Sequence, residues 1–218
     1  MINPNHLKIP EKGIPKMDLI FAIILLMATL STAFCVYQAT RWNGIQAVDF
    51  GDASKLRTES VRASNIANSQ EIVDVQVFLS WVNAVSKNDM VQASFIQERF
   101  RDEFRQAFNT WIARANETNP IPAGTPFELP EYSLAKNNES AHLEEQATAT
   151  YNSGKDANTN GDMYISNTVL FAIVLFFCGI YSRWDSIKIR RGILLMTLLV
   201  FSFAFYSLVS LLFRVGFV

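Results

Sequence analysis

The segment MDLIFAIILLMATLSTAFCVYQATRWNG, residues 17–44, decides the fold because it is apolar and continues into polar, helix-forming sequence without a turn signal. Its apolar block at 19–37 contains no Asp, Glu, Lys, Arg or His, and the same is true of later blocks at 164–181 and 192–213. A helix of about 20 apolar residues crosses a hydrocarbon core of about 30 Å. We therefore predict an all-α protein with three transmembrane helices and an extracytoplasmic helical hairpin or bundle that is continuous with the spans.

Basic residues near the spans predict which side of the membrane each part occupies. They lie before the first span and between the second and third: Lys8, Lys12, Lys16, Arg183, Lys188, Arg190 and Arg191. Short positive flanks stay in the cytoplasm. The predicted parts are a cytoplasmic tail (1–16), transmembrane helix 1 (17–39), an extracytoplasmic helical domain (40–162), transmembrane helix 2 (163–182), a cytoplasmic loop (183–191), transmembrane helix 3 (192–213) and an extracytoplasmic C-terminus (214–218).

The N-terminal region has an alternative interpretation as a cleaved signal peptide. A basic stretch at 8–16, an apolar stretch at 19–30 and small residues at 31–33 fit that pattern. The apolar run continues to Tyr37, however, which favours an uncleaved anchor.

The charge of the extramembrane domain excludes one class of partner. Residues 40–163 carry 11 Lys and Arg against 17 Asp and Glu, so their net charge is 11 − 17 = −6. Nucleic-acid binding requires clustered basic residues, and we expect none here. The expected partners are the lipid bilayer, further copies of the chain, and a membrane or extracytoplasmic protein.

Apolar periodicity predicts three helical segments in this domain. The first covers 45–85; alternation at Val73, Val75 and Val77 would also fit a strand, but the helical pattern continues on both sides. A break at 86–89 follows, with Asn88 or Asp89 as the N-cap of a helix over 90–115. After a proline-rich loop at 118–130, a third helix begins at 131 and leads into span two. We find no internal repeat.

One face of span one carries small and polar residues at helical spacing, namely Ala28, Thr32, Cys35 and Ala39. Small residues allow close approach of helices in lipid, so this face is predicted to pack against other helices. The alternative is the wall of an oligomeric pore, lined by residues such as Thr29 and Thr32, or by Ser202, Tyr206 and Ser210. Just beyond the face, Tyr37, Arg41 and Trp42 are predicted to anchor the helix at the membrane interface.

Residues 156–162 match the first half of a calcium-binding loop. Asp156, Asn158, Asn160 and Asp162 supply oxygen atoms, and Gly161 occupies the position of the sharp turn. The bidentate Glu expected at the twelfth position is replaced by Asn167. We therefore favour a polar helix that continues into span two and keep a calcium site as the weaker alternative.

Other chemistry has little support in the sequence. The two histidines and two cysteines have no zinc-ligand spacing, and we find no phosphate-binding loop or paired Ser nucleophile. We expect no enzyme activity, no catalytic residue and no cofactor. Cys35 and Cys178 lie at different depths, so we expect free, buried thiols. The aromatic stripe of Phe100, Phe104, Phe108 and Trp111 is predicted to form core, with a ligand pocket as the alternative.

Several short motifs resemble those of a known group of proteins. They are YQATRWNG at 37–44, Glu59 with Arg62, Phe78 with Trp81, Ala157-Asn158, and Gly161-Asp162 before an apolar span. Together they resemble a family of uncharacterised bacterial three-span inner-membrane proteins with an extracytoplasmic helical domain. The resemblance implies this architecture and a bacterial inner-membrane location, and no activity.

The sequence thus leaves three hypotheses for function. The first is a non-enzymatic, homo-oligomeric membrane scaffold or interaction protein. The second is an oligomeric ion channel or pore lined by the polar face of span one. The third and weakest is a calcium-responsive membrane sensor.

Overall fold

A computed structural model describes residues 16–116, 120–181, 183–184 and 186–215. Within these ranges the secondary structure is helical, as the sequence predicts, and there is no strand. The α-helices are α1 (Lys16–Ser86), α2 (Met90–Gln97), α3 (Asp102–Ile112), α4 (Ala135–Tyr181) and α5 (Ile187–Val215), with a short 3₁₀ turn at Pro126–Glu128. α1, α4 and α5 are each long and apolar enough to cross a membrane.

The chain divides into two compact units. Unit 1 comprises Met1–Val48 and Ser153–Val218, and unit 2 comprises Asp49–Asn152. Both α1 and α4 contribute residues to each unit. α1 is uninterrupted, so the apolar segment at 19–37 and the segment at 45–85 form one helix, and the alternative of a strand at 73–77 is excluded.

Unit 1 is built from parts of α1, α4 and α5. Its buried cluster includes Ala28, Cys35, Tyr164, Phe171 and Ala204. α1 and α4 run antiparallel, because Phe34 lies edge-on to Tyr164 while the earlier Phe21 stacks on the later Tyr181.

Unit 2 combines a helix pair with an aromatic core. In α1 a buried residue recurs at every seventh position: Ala53, Ser60, Ala67, Asp74 and Trp81. Such spacing is the seam of a coiled coil. The Ser60 hydroxyl donates to the Ser140 carbonyl at 2.9 Å, and the Phe50 ring stacks on Tyr151 at 5.1 Å, so α4 runs antiparallel to α1 here too.

The prediction of a single helix over 90–115 is wrong in one respect, because the structure has two helices there, α2 and α3. Arg101 caps α3 in an extended conformation, with φ −62° and ψ 150°. Arg105 donates across the break to the carbonyls of Glu98 and Phe100. Phe100 lies at this break, is 3% exposed and belongs to the aromatic core of unit 2.

Two further boundaries differ from the predicted ones. The helix expected from 131 begins at Ala135, since the preceding residues form turns that place Tyr132 against the aromatic core. α5 begins at Ile187, before the apolar block at 192. The basic residues Lys188, Arg190 and Arg191 of the predicted loop therefore lie in the first turns of a helix. The predicted break at 86–89 is confirmed: Asp89 caps α2 by accepting from the Gln92 N–H at 3.0 Å.

Candidate functional site

A groove of about 590 Å³ follows one side of α1 in unit 2. It is lined by Thr58, Val61, Arg62, Asn65, Ile66, Ser69, Gln70, Val73 and Arg101. Residues of α1 that are spaced by three or four positions lie on one side of the helix. Val61, Ile66 and Val73 keep 55%, 39% and 49% of their surface exposed. The groove therefore presents an apolar floor with two arginines.

This groove face is distinct from the seven-residue seam of α1. The seam residues Ser60 and Ala67 are buried, whereas Val61 and Ile66, next to them in sequence, are exposed. A helix with one packed apolar stripe normally turns polar residues outward. α1 instead carries a second apolar face that the rest of unit 2 leaves open, which is typical of a helix that contacts another molecule.

Arg101, which lines the groove, is also part of a buried polar network. Asp74 is 2% exposed, and its two carboxylate oxygens accept from Arg101 Nε and Nη2, each at 3.1 Å. Tyr132 Oη also donates to Asp74 Oδ2, at 3.0 Å. Arg101 contacts Glu103 at 3.1 Å as well. A bidentate arginine–carboxylate pair has a fixed geometry, so the network joins α1, the start of α3 and the turn before α4.

The network also determines the protonation of Tyr132. Burial raises the pKa of Tyr132 well above its ordinary value, and the negative charge of Asp74 and its hydrogen bond raise it further. The phenol therefore remains a proton donor to Asp74.

The aromatic stripe predicted in the sequence forms core. Phe104 and Phe108 are fully buried, and Phe100 and Trp111 are 3% and 1% exposed. Their rings lie edge-on or tilted to one another and to Phe78 and Trp81. Four cavities in the described part of the chain, of about 590, 270, 540 and 350 Å³, are lined by other residues.

The small-residue face of span one lies inside unit 1. Ala28 and Cys35 are fully buried and Ala39 is 2% exposed, in a cluster with residues of α4 and α5. The Thr32 hydroxyl donates to the Ala28 carbonyl at 2.8 Å, within its own helix. Gly161 of α4 approaches this face closely, because a Cβ added there would lie 2.7 Å from Asn43 Oδ1 and 3.6 Å from the Ala39 carbonyl.

The predicted interfacial residues occupy different environments. Tyr37 and Arg41 are exposed, whereas Trp42 packs against the buried cluster of unit 1. The indole N–H of Trp42 is buried without a hydrogen-bond partner among the described residues. Cys35 and Cys178 are both free, as expected; Cys35 is buried, whereas Cys178 is only half-buried.

The segment that matches a calcium loop is helical, because α4 runs through 156–162 without a break. Side chains two positions apart on a helix point about 200° apart. Asp156, Asn158 and Asn160 therefore cannot converge on one ion. Asn158 instead donates to the Asp162 carboxylate at 3.2 Å. The described residues contain no group of three or more His, Cys, Asp or Glu side chains that could hold a metal ion.

Sequence reasoning missed a polar cluster that joins the three apolar helices of unit 1. The Asp18 carboxylate accepts from the Tyr181 hydroxyl at 2.7 Å and from Arg190. The Arg190 guanidinium also lies over the Tyr181 ring, 4.2 Å from its centroid. The signal available in the sequence was a lone acidic residue at the start of span one and a basic residue before span three.

Sequence reasoning also missed buried polar atoms deeper in unit 1. Gln38, Tyr164, Asn167 and Thr197 are all at most 3% exposed. Gln38 Oε1, Tyr164 Oη and Asn167 Oδ1 have no hydrogen-bond partner among the described residues. Polar groups inside membrane helices are costly and often functional.

Comparison of the chain with protein-family models, with curated proteins and with solved structures found no match.

Proposed function

We propose that this chain is a non-enzymatic, multi-pass membrane protein that acts as a homo-oligomeric scaffold and presents unit 2 to partners outside the membrane. The single observation that carries the proposal is the open apolar groove on α1. The location that fits the basic flanks and the resemblance of the sequence motifs is a bacterial inner membrane, with the N-terminus in the cytoplasm.

A second copy of the chain is the occupant that best fits the groove. Arg62 lies on the groove and pairs with no carboxylate among the described residues, whereas Arg101 is already paired with Asp74 and Glu103. Unit 2 as a whole is acidic, with 9 Lys and Arg against 15 Asp and Glu, a net charge of 9 − 15 = −6. An acidic surface of another copy therefore complements the charge of the groove. Complementary charge favours encounter and fixes the register of an interface.

Exposed polar side chains on α5 support self-association within the membrane as well. Ser202, Tyr206 and Ser210 follow one another at four-residue spacing and all are exposed, Tyr206 by 72%. A phenol facing hydrocarbon lacks the hydrogen bond it would have in water, so such a group is more stable against another helix. The same row is the one observation that favours the second candidate, an oligomeric channel.

The channel ranks below the scaffold because of the residues on span one. Ala28, Cys35 and Ala39 are buried against other helices of the same chain and are not free to line a pore. A pore would have to use α5 instead. Liposomes containing the full chain should show no ion flux under voltage or membrane tension, and flux abolished by Tyr206→Leu would replace the scaffold with the channel.

The groove can be tested with two isoleucines of the same helix. Ile66 lines the groove, whereas Ile72 is 59% exposed and lies outside its lining. We expect Ile66→Glu to raise the dissociation constant of the oligomer at least about tenfold, because a carboxylate would be buried in the interface. Light scattering of the detergent-solubilised full chain measures the mass, and Ile72→Glu is the matched control. A monomeric parent protein, or equal weakening by both variants, would contradict the proposal.

A further inference from the structure

A second cleft, of about 270 Å³, lies between α4 and α5 in unit 1. Its lining combines apolar and polar side chains: Met163, Ser166, Asn167, Leu170, Ser207, Ser210, Leu211 and Arg214. The cleft is at the start of the second apolar block and in the last turns of α5, where Arg214 lies. Its volume exceeds the roughly 30 Å³ of one water molecule and falls just short of drug-sized pockets, which begin at about 300 Å³.

One part of the cleft is suited to an anion. Among the residues that the structure describes, no carboxylate pairs with the Arg214 guanidinium. The hydroxyls of Ser207 and Ser210 line the same cleft. Guanidinium and hydroxyl donors together are the groups that proteins use to hold phosphate oxygens.

Asn167, which lines the cleft, carries an amide oxygen without a hydrogen-bond donor among the described residues. Asn167 is 3% exposed, and its Nδ2 donates to the Met163 carbonyl at 3.4 Å. Its Oδ1 is buried and has no partner in the described part of the chain. Buried polar atoms are nearly always hydrogen-bonded, so this acceptor points to a bound group that carries an N–H or O–H.

We propose that the cleft binds a phosphate group that has a hydrogen-bond donor beside it. The phosphate contacts Arg214 and the serine hydroxyls, and the Asn167 amide turns so that its buried Oδ1 accepts from the donor. The headgroups of phosphatidylglycerol and phosphatidylethanolamine have this chemistry, and so do soluble phosphate esters and inorganic phosphate. Phosphatidylcholine has the phosphate but no donor on its quaternary ammonium.

The position of the cleft favours a lipid as the source of the phosphate. It opens at the boundary of two apolar blocks, and Met163, Leu170 and Leu211 provide apolar surface beside the polar groups. A headgroup bound there would leave its acyl chains in the hydrocarbon region. Basic pockets between transmembrane helices are known to select lipid headgroups.

Native mass spectrometry of the delipidated full chain tests this site. Phosphatidylglycerol, phosphatidylethanolamine, phosphatidylcholine, glycerol 3-phosphate and inorganic phosphate are titrated separately. We expect the first two lipids to bind about tenfold more tightly than phosphatidylcholine, since the latter leaves a buried acceptor unpaired. Arg214→Gln and Asn167→Leu should each weaken this binding about tenfold. Arg191→Gln removes the same charge from the opposite end of α5 and should not weaken it.

Each outcome of the experiment decides the proposal. One outcome is that the three lipids bind without selectivity while inorganic phosphate or glycerol 3-phosphate forms adducts that the same two variants abolish. That result would support the phosphate site and show that its ligand comes from solution. Equal binding of the three lipids without such adducts, adducts unchanged by both variants, or no adduct at all would overturn the proposal. Circular dichroism checks that the variants fold, and the milder Ser210→Ala keeps the test valid if either does not.

Discussion

At the residue scale, the stability of unit 2 depends on the pair of Asp74 and Arg101. Replacing Asp74 with Ala leaves the partly buried Arg101 with Glu103 as its remaining partner and the Tyr132 hydroxyl without its acceptor, which should cost about 1–3 kcal/mol. Tryptophan fluorescence during urea unfolding measures this, because Trp81 and Trp111 lie in the core of unit 2. The control is Glu144→Ala, which removes the pair with Arg57 at half-exposed positions. That loss should be under about 1 kcal/mol, and equal losses would contradict the role of the buried pair.

Tyr132 should make the stability of unit 2 sensitive to alkaline pH. Its pKa in the folded protein is raised above the ordinary value of 10.0. Above about pH 10 the unfolded chain therefore loses a proton that the folded chain retains, and the free energy of unfolding falls as the pH rises. Tyr132→Phe removes this contribution. We expect a smaller decrease in the urea midpoint of the variant between neutral pH and pH 11, and parallel curves would exclude the linkage.

The sequence predicts some of these residue-scale features and not others. Asp89 was identifiable as an N-cap because its partner is three residues away, within the same turn. The buried network of Asp74 was not identifiable, because its partners Arg101 and Tyr132 are distant in sequence and the surrounding pattern is that of an ordinary amphipathic helix. The lack of a partner for Asn167 Oδ1 is likewise a property of packing, which a one-dimensional pattern does not contain.

At the scale of helices, Gly161 tests how closely α1 and α4 pack in unit 1. Gly161→Ala should be tolerated within about 1 kcal/mol, because the nearest atom is the end of the Asn43 side chain, and alanine favours helix. Gly161→Leu should cost about 1–3 kcal/mol through overpacking. Thermal unfolding in detergent followed by circular dichroism measures both. Gly179→Leu, on the same helix but with nothing within 4 Å, is the control.

The helices themselves were largely predictable, and the errors have a common origin. α1, α4 and α5 follow from apolar length, whereas the break between α2 and α3 does not. Residues 98–101 contain neither glycine nor proline, so they carry no turn signal. The break is stabilised by tertiary contacts, above all Arg101 with Asp74. The seven-residue seam of α1 was missed for a related reason, since Ala, Ser and Asp occupy most of its positions.

At the scale of the whole molecule, the testable feature is orientation in the membrane. Single cysteines at the exposed Ala113 and Lys188, in a Cys35→Ala, Cys178→Ala background, report the two predicted sides. A membrane-impermeant maleimide should label position 113 in intact cells and position 188 only after lysis, because basic flanks stay in the cytoplasm. The reverse pattern would invert the topology and place the groove in the cytoplasm.

The seven-residue seam of α1 also restricts how the length of unit 2 can change. Adding one residue to α1 after Ser60 rotates all later side chains by about 100° and moves Ala67, Asp74 and Trp81 off the seam. Adding seven residues rotates them by only about 20°, although α4 would need an equal addition opposite. Insertions and deletions in this helix pair are therefore tolerated only as matched seven-residue blocks.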